Sequence, residues 1–347
     1  MASLRKQYGA ARVLLNSSST TLCFLILPLL LLGCPGKDRP NSRVAVSEQP
    51  SASTPATPPR AVAFDGERAM EHVKRQVEIG PRIPGSPELA KTREYIINAL
   101  KSSGLSVATA EFSASTPLGE KKMVNITAEI PGESKEVIII SSHYDSKYFK
   151  HMKFVGANDP GSSVGTLLEI GRVLGAHQLK PKMTYWLVFF DGEEAFCEGW
   201  DDCSKPGAPD NTYGSRQYVS ELRKNNELAR VRALILLDLM GHKDLELGRD
   251  TMSTRWLQDI IWRMGKEMGH GKVFVDRPEG VGGDDHEPFL RAGIPAVDII
   301  HLGYRYWHRA EDTLDKVSPQ SMKIVGETVL AGLPRVEQYI QSRPAAH

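Results

Sequence analysis

The chain has 347 residues, of which 41% are hydrophobic and 24% charged, enough to bury a sizeable core as one large or two ordinary domains. A formal net charge of +1, with no local basic cluster, removes the electrostatic case for nucleic acid. Four cysteines are too few for a disulfide-built scaffold.

In chain order, the first element is a targeting segment. Arg5, Lys6 and Arg12 precede an apolar run over residues 22–32, too short to span a bilayer comfortably but suited to a signal-peptide core. It ends in Leu31-Leu-Gly-Cys34, which resembles a bacterial lipobox. That resemblance implies an exported bacterial protein, membrane-anchored through lipidated Cys34 on the periplasmic or cell-surface side. An ordinary secretory signal or an uncleaved anchor would export the domain as well. Residues 35–60 are rich in Pro, Ser, Thr and Ala and read as a flexible tether. The pattern then turns globular over 61–343, with no internal repeat and no second linker.

Helical periodicity covers about 66–79, 87–103, 162–177, 214–226, 254–269 and 318–342. Apolar or alternating strand runs cover about 105–113, 122–130, 136–141, 184–190, 233–239 and 295–302. The first two strand runs predict an antiparallel pair. The last four alternate with helices, which predicts an α/β fold: a central twisted, mostly parallel mixed sheet with helices on both faces.

The stretch Tyr185-Trp-Leu-Val-Phe-Phe-Asp-Gly-Glu193-Glu194 organises the site. Its apolar run reads as a buried strand, ending in Asp191, a turn-permitting Gly192 and two adjacent glutamates. In an open α/β sheet, ligands bind just outside the carboxyl ends of strands. Other buried runs end the same way. Val137-Ile-Ile-Ile-Ser-Ser leads to His143-Tyr-Asp145, Leu234-Ile-Leu-Leu to Asp238, and Ala296-Val-Asp-Ile-Ile to Trp307-His308. Asn158-Asp159 lies just before the helix starting near Ser162. Singly, each has a bland reading: a solvated acidic turn at the glutamates, a packed histidine at His143, a helix cap at Asp159, a turn residue at Asp238, a surface histidine at His308. Together they predict a metal site at the strand ends. Histidine and carboxylates without thiolates suit zinc, with an open position for water or substrate. Spacing fixes neither the number of ions nor the reaction.

Two more stretches stand out. In Gly282-Gly-Asp284-Asp285-His286-Glu287, the aspartates either bond inside the pocket or favour a helix N-terminus. Cys197 and Cys203 either close a small loop around Trp200 in an oxidising compartment or remain free thiols. Trp200 itself suits either the lip of a pocket or the core.

These stretches together resemble the glutaminyl cyclases (glutaminyl-peptide cyclotransferases), which share their fold with zinc aminopeptidases. The matching pieces are Gly80-Pro-Arg-Ile-Pro-Gly-Ser, His143-Tyr-Asp-Ser-Lys-Tyr-Phe149, Phe154-Val-Gly-Ala-Asn-Asp159, Phe189-Phe-Asp-Gly-Glu-Glu-Ala-Phe196, Tyr213-Gly-Ser-Arg216, Leu236-Leu-Asp-Leu-Met-Gly241, Asp284-Asp-His-Glu-Pro-Phe-Leu290 and Trp307-His308. The resemblance implies one zinc per chain, held by Asp159, Glu194 and His308. It implies Glu193 as general acid/base, and Asp238 and Asp284 as supports of that glutamate and of the substrate amine. Trp200 and Trp307 match the walls of the substrate pocket, although Trp200 falls one residue later than the family spacing. The implied substrates are peptides or proteins with N-terminal Gln, cyclised to pyroglutamyl with release of ammonia. A cysteine pair of the animal members is absent: Ser142 and Val164 stand at those places.

Two other readings compete. A two-zinc aminopeptidase of the same fold would use His143 and Asp238 for a second ion, and both are present. A lipid-anchored binding protein without catalysis has no obvious need for an unligated Glu193 beside a metal ligand.

Overall fold

The computed structural model describes residues 62–177 and 180–343. The signal segment, the tether and Cys34 lie outside the described residues. Two helices open the domain, α1 (Gly66–Ile79) and α2 (Pro87–Ser102). Asp65 caps α1 by accepting from the N–H groups of Glu67 and Arg68, and Ser86 caps α2 by accepting from Leu89. A hairpin follows, β1 (Ser106–Thr116) and β2 (Gly119–Ile130), antiparallel throughout.

The alternating part then runs β3 (Val137–His143), α3 (Gly161–Gly175), β4 (Thr184–Phe190), α4 (Tyr213–Lys224) and β5 (Val231–Asp238). It continues through β6 (Leu247–Asp250), α5 (Arg255–Glu267), β7 (Phe274–Glu279), α6 (Glu287–Arg291), β8 (Ala296–Ile300) and α7 (Pro319–Gln341). The main sheet has the order β1-β2-β4-β3-β5-β8. β4, β3, β5 and β8 are mutually parallel, and β2 joins β4 antiparallel. This is the predicted mixed sheet.

Strand alternation sends successive side chains to opposite faces, and both faces are covered. Ile138, Ile140, Leu187, Phe189, Ile235 and Leu237 share one core with residues of α1, α3, α5 and α7. Ile139, Val188, Phe190, Leu234 and Leu236 share a second, thinner core with Val219 and Leu222 of α4 and Phe289 of α6. Parallel register carries all four strand ends to one rim: His143 pairs with Phe190, and Asp238 with Ile300.

The pair β6 and β7, a separate two-stranded parallel sheet, was not expected from the sequence. β6 is four residues long, and β7 is mostly surface-facing and carries Asp276, Arg277 and Pro278. Neither offers an apolar period to read.

Candidate metal centre and active site

Gly192 turns the chain out of β4 with φ 74°, and a Cβ there would sit 2.5 Å from Met123 Sδ. Glu193 and Glu194 follow at once, and one buried carboxylate fixes both. The N–H of Glu193 donates to Asp145 Oδ1 at 3.1 Å and that of Glu194 to Asp145 Oδ2 at 3.2 Å. The Glu193 carbonyl accepts from Thr212 N–H at 2.7 Å. Buried Lys147 donates to the carbonyls of Ala195 (2.6 Å) and Cys197 (2.9 Å), tying down the loop beyond.

Asp159 is held by a different device. The Asp312 carboxylate accepts from the N–H groups of Asn158 (2.9 Å) and Asp159 (3.1 Å), and from the Tyr304 hydroxyl at 2.6 Å. Asn158 spans to the segment after β5, donating to Leu239 O and accepting from Gly241 N–H. The Asp159–Pro160 peptide is cis. His308 adopts φ 55°, a left-handed conformation uncommon for a non-glycine residue and concentrated at functional sites. Its ring stacks on Trp307 at 4.2 Å and meets the edges of Phe149 and Phe154 at 5.9 and 6.0 Å.

The three predicted ligands converge. Asp159, Glu194 and His308 each bring a ligand-type atom within 4.8 Å of the others. His308 Nε2 lies 3.1 Å from Glu194 Oε2 and 3.6 Å from Asp159 Oδ2. Burial pushes the Glu194 carboxyl up, but His308, then Lys147 and His143, outweigh it and hold the group below its ordinary value. A second set lies alongside: His143 Nε2 is 3.2 Å from both Asp159 Oδ1 and Asp238 Oδ1. Burial works against the His143 cation, yet Glu193, Asp145, Asp159 and Asp238 together hold it well above its ordinary value.

Glu193 turns away from the first set. Its Oε2 lies 3.7 Å from His143 Nδ1. Burial drives its carboxyl well above the usual range, with Asp284, Glu194 and Asp285 adding to the rise and His143 opposing it. Asp284 is pushed up to about 7 by burial and then by Asp238. Trp307 is 48% exposed at the rim. Trp200 is half-buried on a loop closed by a Cys197–Cys203 disulfide, one of the two states the sequence allows. Its indole neighbours Gly283, where a Cβ would come within 3.5 Å of Nε1.

Asp312 and Lys147, which hold the site together, escape sequence reasoning because their partners are backbone groups far away in the chain. Asp145 stands within the His143-Tyr-Asp145 motif, but nothing in that motif says that it grips the two glutamates.

The residues fit a zinc ion. Glu194 Oε2 is buried and has no hydrogen-bond partner of good geometry, so it presents an unused anionic oxygen beside His308. The donors are one nitrogen and carboxylate oxygens, and Cys197 and Cys203 offer no thiolate because they are bonded to each other.

An acidic His/carboxylate centre on the carboxyl rim of a mostly parallel sheet is the arrangement of an α/β enzyme with a candidate metal site. Residues 125–333 match the model of peptidase family M28. Glutaminyl-peptide cyclotransferase of Dictyostelium discoideum is 30% identical over 292 residues, covering 71% of this chain and 79% of the relative. The solved glutaminyl cyclase of an Acidobacteriales bacterium is 34% identical with a TM-score of 0.74, covering 84% of this chain and 99% of that one. A zinc-dependent exopeptidase from Parabacteroides distasonis is 25% identical with a TM-score of 0.72, covering 79% and 99%. The chain belongs to peptidase family M28 and, within it, to the glutaminyl-peptide cyclotransferases.

Proposed function

We propose that the chain converts N-terminal glutaminyl residues of peptides and proteins to pyroglutamyl residues, with one zinc held by Asp159, Glu194 and His308. One observation carries the reading: adjacent glutamates diverge, Glu194 toward His308 and Glu193, buried, toward His143. The names of the relatives support it.

Zinc, when bound, supplies a Lewis acid at the γ-carbonyl of the substrate glutamine. The chemistry left to the protein is proton traffic. The α-nitrogen forms a bond to the γ-carboxamide carbon and loses a proton. The carbon–nitrogen bond of the amide breaks and the leaving nitrogen gains a proton, departing as ammonia; no water is consumed. Glu193 suits both transfers, as base and then acid, because it is buried beside the site and burial holds its carboxyl well above the usual glutamate range. Asp238 and Asp284, both raised by burial, support the amine and Glu193. Trp200 and Trp307 wall the pocket and hold the substrate folded, which lowers the entropic cost of ring closure.

Incubation with a short Gln-initiated peptide tests this. Ammonia release with an otherwise intact peptide is expected; release of the first residue would establish peptide hydrolysis instead. That second reading, a two-zinc aminopeptidase, is favoured by the 3.2 Å contacts of His143 Nε2 with Asp159 and Asp238.

For the whole chain we propose a lipoprotein-type signal over 1–34, a tether over 35–60 and the catalytic domain over 61–343, exported and anchored through Cys34. This part rests on the sequence alone.

A further inference from the structure

Beside Asp284 lies a run of ionisable side chains that none of these steps uses. Asp298 sits in the middle of β8 between Val297 and Ile299 and is fully buried, as is His286. His286 Nε2 lies 3.3 Å from Asp250 Oδ2, and Nδ1 lies 3.8 Å from Asp298 Oδ2. Asp284, His286 and Asp298 each bring an atom within 4.8 Å of the others. Asp250 is fixed from its own side: Oδ2 accepts from the N–H and hydroxyl of Ser253, both at 2.7 Å. Asp298 is fixed through its backbone, its N–H donating to Ser253 Oγ at 3.0 Å.

Neither ring nitrogen of His286 and neither carboxylate oxygen of Asp298 has a hydrogen-bond partner of good geometry. Buried charges without partners are costly, so these groups are tenable only as a mutually compensating set. Both ring nitrogens face carboxylates. A neutral imidazole has one N–H and would turn a lone pair toward the second carboxylate; an imidazolium donates to both.

We infer that His286, bridging Asp250 and Asp298, is a positioning residue for the reaction: through Asp298 it fixes the carboxyl of Asp284 in the pocket. The inference rests on the cyclase reading only for the identity of that reaction. The charged groups facing Asp284 are Asp238 from the end of β5, His143 from the end of β3, Glu193 from the loop after β4, Asp298 from β8, and Asp285 and His286 from its own segment. Asp250, the last residue of β6, acts through His286.

The test uses the zinc-loaded enzyme and variants of opposite charge effect. His286→Leu removes the ring that favours the Asp284 carboxylate, and Asp298→Asn removes a carboxylate that opposes it. The limb of the kcat–pH profile that reports Asp284 is expected to move up in the first and down in the second, each by about one pH unit. His286→Leu is also expected to lower kcat about 10-fold or more, with KM and zinc content near wild type. Asp250→Asn, nearly isosteric, is expected to shift the limb upward by less, and it serves if His286→Leu does not fold. Thermal unfolding gives a readout independent of activity. Buried carboxyls with raised folded values lose stability as pH rises, so Tm should fall more steeply between about pH 6 and 8 in His286→Leu and less steeply in Asp298→Asn. Shifts in the same direction, or lower Tm with an unmoved profile, would reduce the group to packing and overturn the inference. A second zinc lost in His286→Leu would overturn it in favour of a metal site. If the wild type released the first residue instead of ammonia, the cyclase reading alone would fail, and the opposed shifts would be scored on that reaction and on Tm.

Discussion

Glu193 and Glu194 are neighbours in sequence but face different partners: Glu194 Oε2 lies 3.1 Å from His308 Nε2, and Glu193 Oε2 lies 3.7 Å from His143 Nδ1. Asp145 makes this possible by accepting both backbone N–H groups, one on each carboxylate oxygen. A strand that ends in a turn would otherwise leave the two side chains free to exchange roles. Glu193→Gln is therefore expected to lower kcat by about 10²–10⁴-fold while zinc content stays near wild type, because the amide fills the space but cannot accept the amine proton. Glu194→Gln should lose zinc and activity together. Metal analysis beside steady-state kinetics reads both; zinc lost from Glu193→Gln and kept in Glu194→Gln would reverse the assignment.

Asp312 touches no substrate but orients a proposed ligand, accepting from the N–H groups of Asn158 and Asp159. Asp312→Ala leaves these two N–H groups and the Tyr304 hydroxyl unpaired in a buried site, at about 1–3 kcal/mol each. Zinc affinity is expected to fall about 10–100-fold, the usual range for groups that orient a ligand. Competition with a chelator measures this; unchanged affinity would mean that the Asp159 loop is held without Asp312.

How much of this was legible depends on where each signal resides. The strand 184–190 is continuous and apolar, and the helix 66–79 is periodic, so composition alone marks both. β6 and β7 carry no such period and are held by tertiary pairing. The chemistry-bearing positions were legible because buried runs stop abruptly at His143, Glu193 and Asp238. That Asp159, Glu194 and His308 meet was not readable from spacing, since they come from separate loops; only the family resemblance grouped them. The gripping roles of Asp145 and Asp312 had no signal at all, because a backbone N–H is the same at every position.

Asp191 gives a pH prediction. Its Oδ2 accepts from Val124 N–H at 2.8 Å and the Tyr144 hydroxyl at 3.1 Å, while Oδ1 has no partner. Burial, then Asp145, pushes its carboxyl up to about 8. An unfolded aspartate titrates near about 3.9, so the folded state binds more protons between those values and stability falls as pH rises through that window. Asp191→Asn keeps the accepting oxygen and cannot ionise. Its Tm is expected to match wild type only below about pH 4 and to exceed it increasingly up to about pH 8, by roughly 2–4 °C for each kcal/mol recovered. Parallel Tm curves for the two proteins would show that Asp191 does not titrate in this range.

The proposed anchor is tested at Cys34, outside the described residues. Cys34→Ser should release the protein from membranes into soluble export, or block processing, as read by fractionation and by the mass of the mature chain. Unchanged membrane association with residues 22–32 retained would mean an uncleaved anchor.

His143 decides between one ion and two. Its Nε2 lies 3.2 Å from Asp159 Oδ1 and 3.2 Å from Asp238 Oδ1, so a second ligand set stands beside the first and shares Asp159 with it. On the single-zinc proposal His143 is not a ligand: it is buried and faces Glu193, Asp145, Asp159 and Asp238, which hold it well above its ordinary value. His143→Ala is therefore expected to keep about one zinc per chain. Its activity should fall nonetheless, because Glu193 and Asp238 lose the cation between them and their carboxyls rise further. The acid limb of the kcat–pH profile should then move upward, consistent with a general base that has become harder to ionise. Wild-type enzyme carrying two zinc ions, one of them lost in His143→Ala together with release of the first residue from peptides, would replace the single-metal cyclase with the two-zinc aminopeptidase.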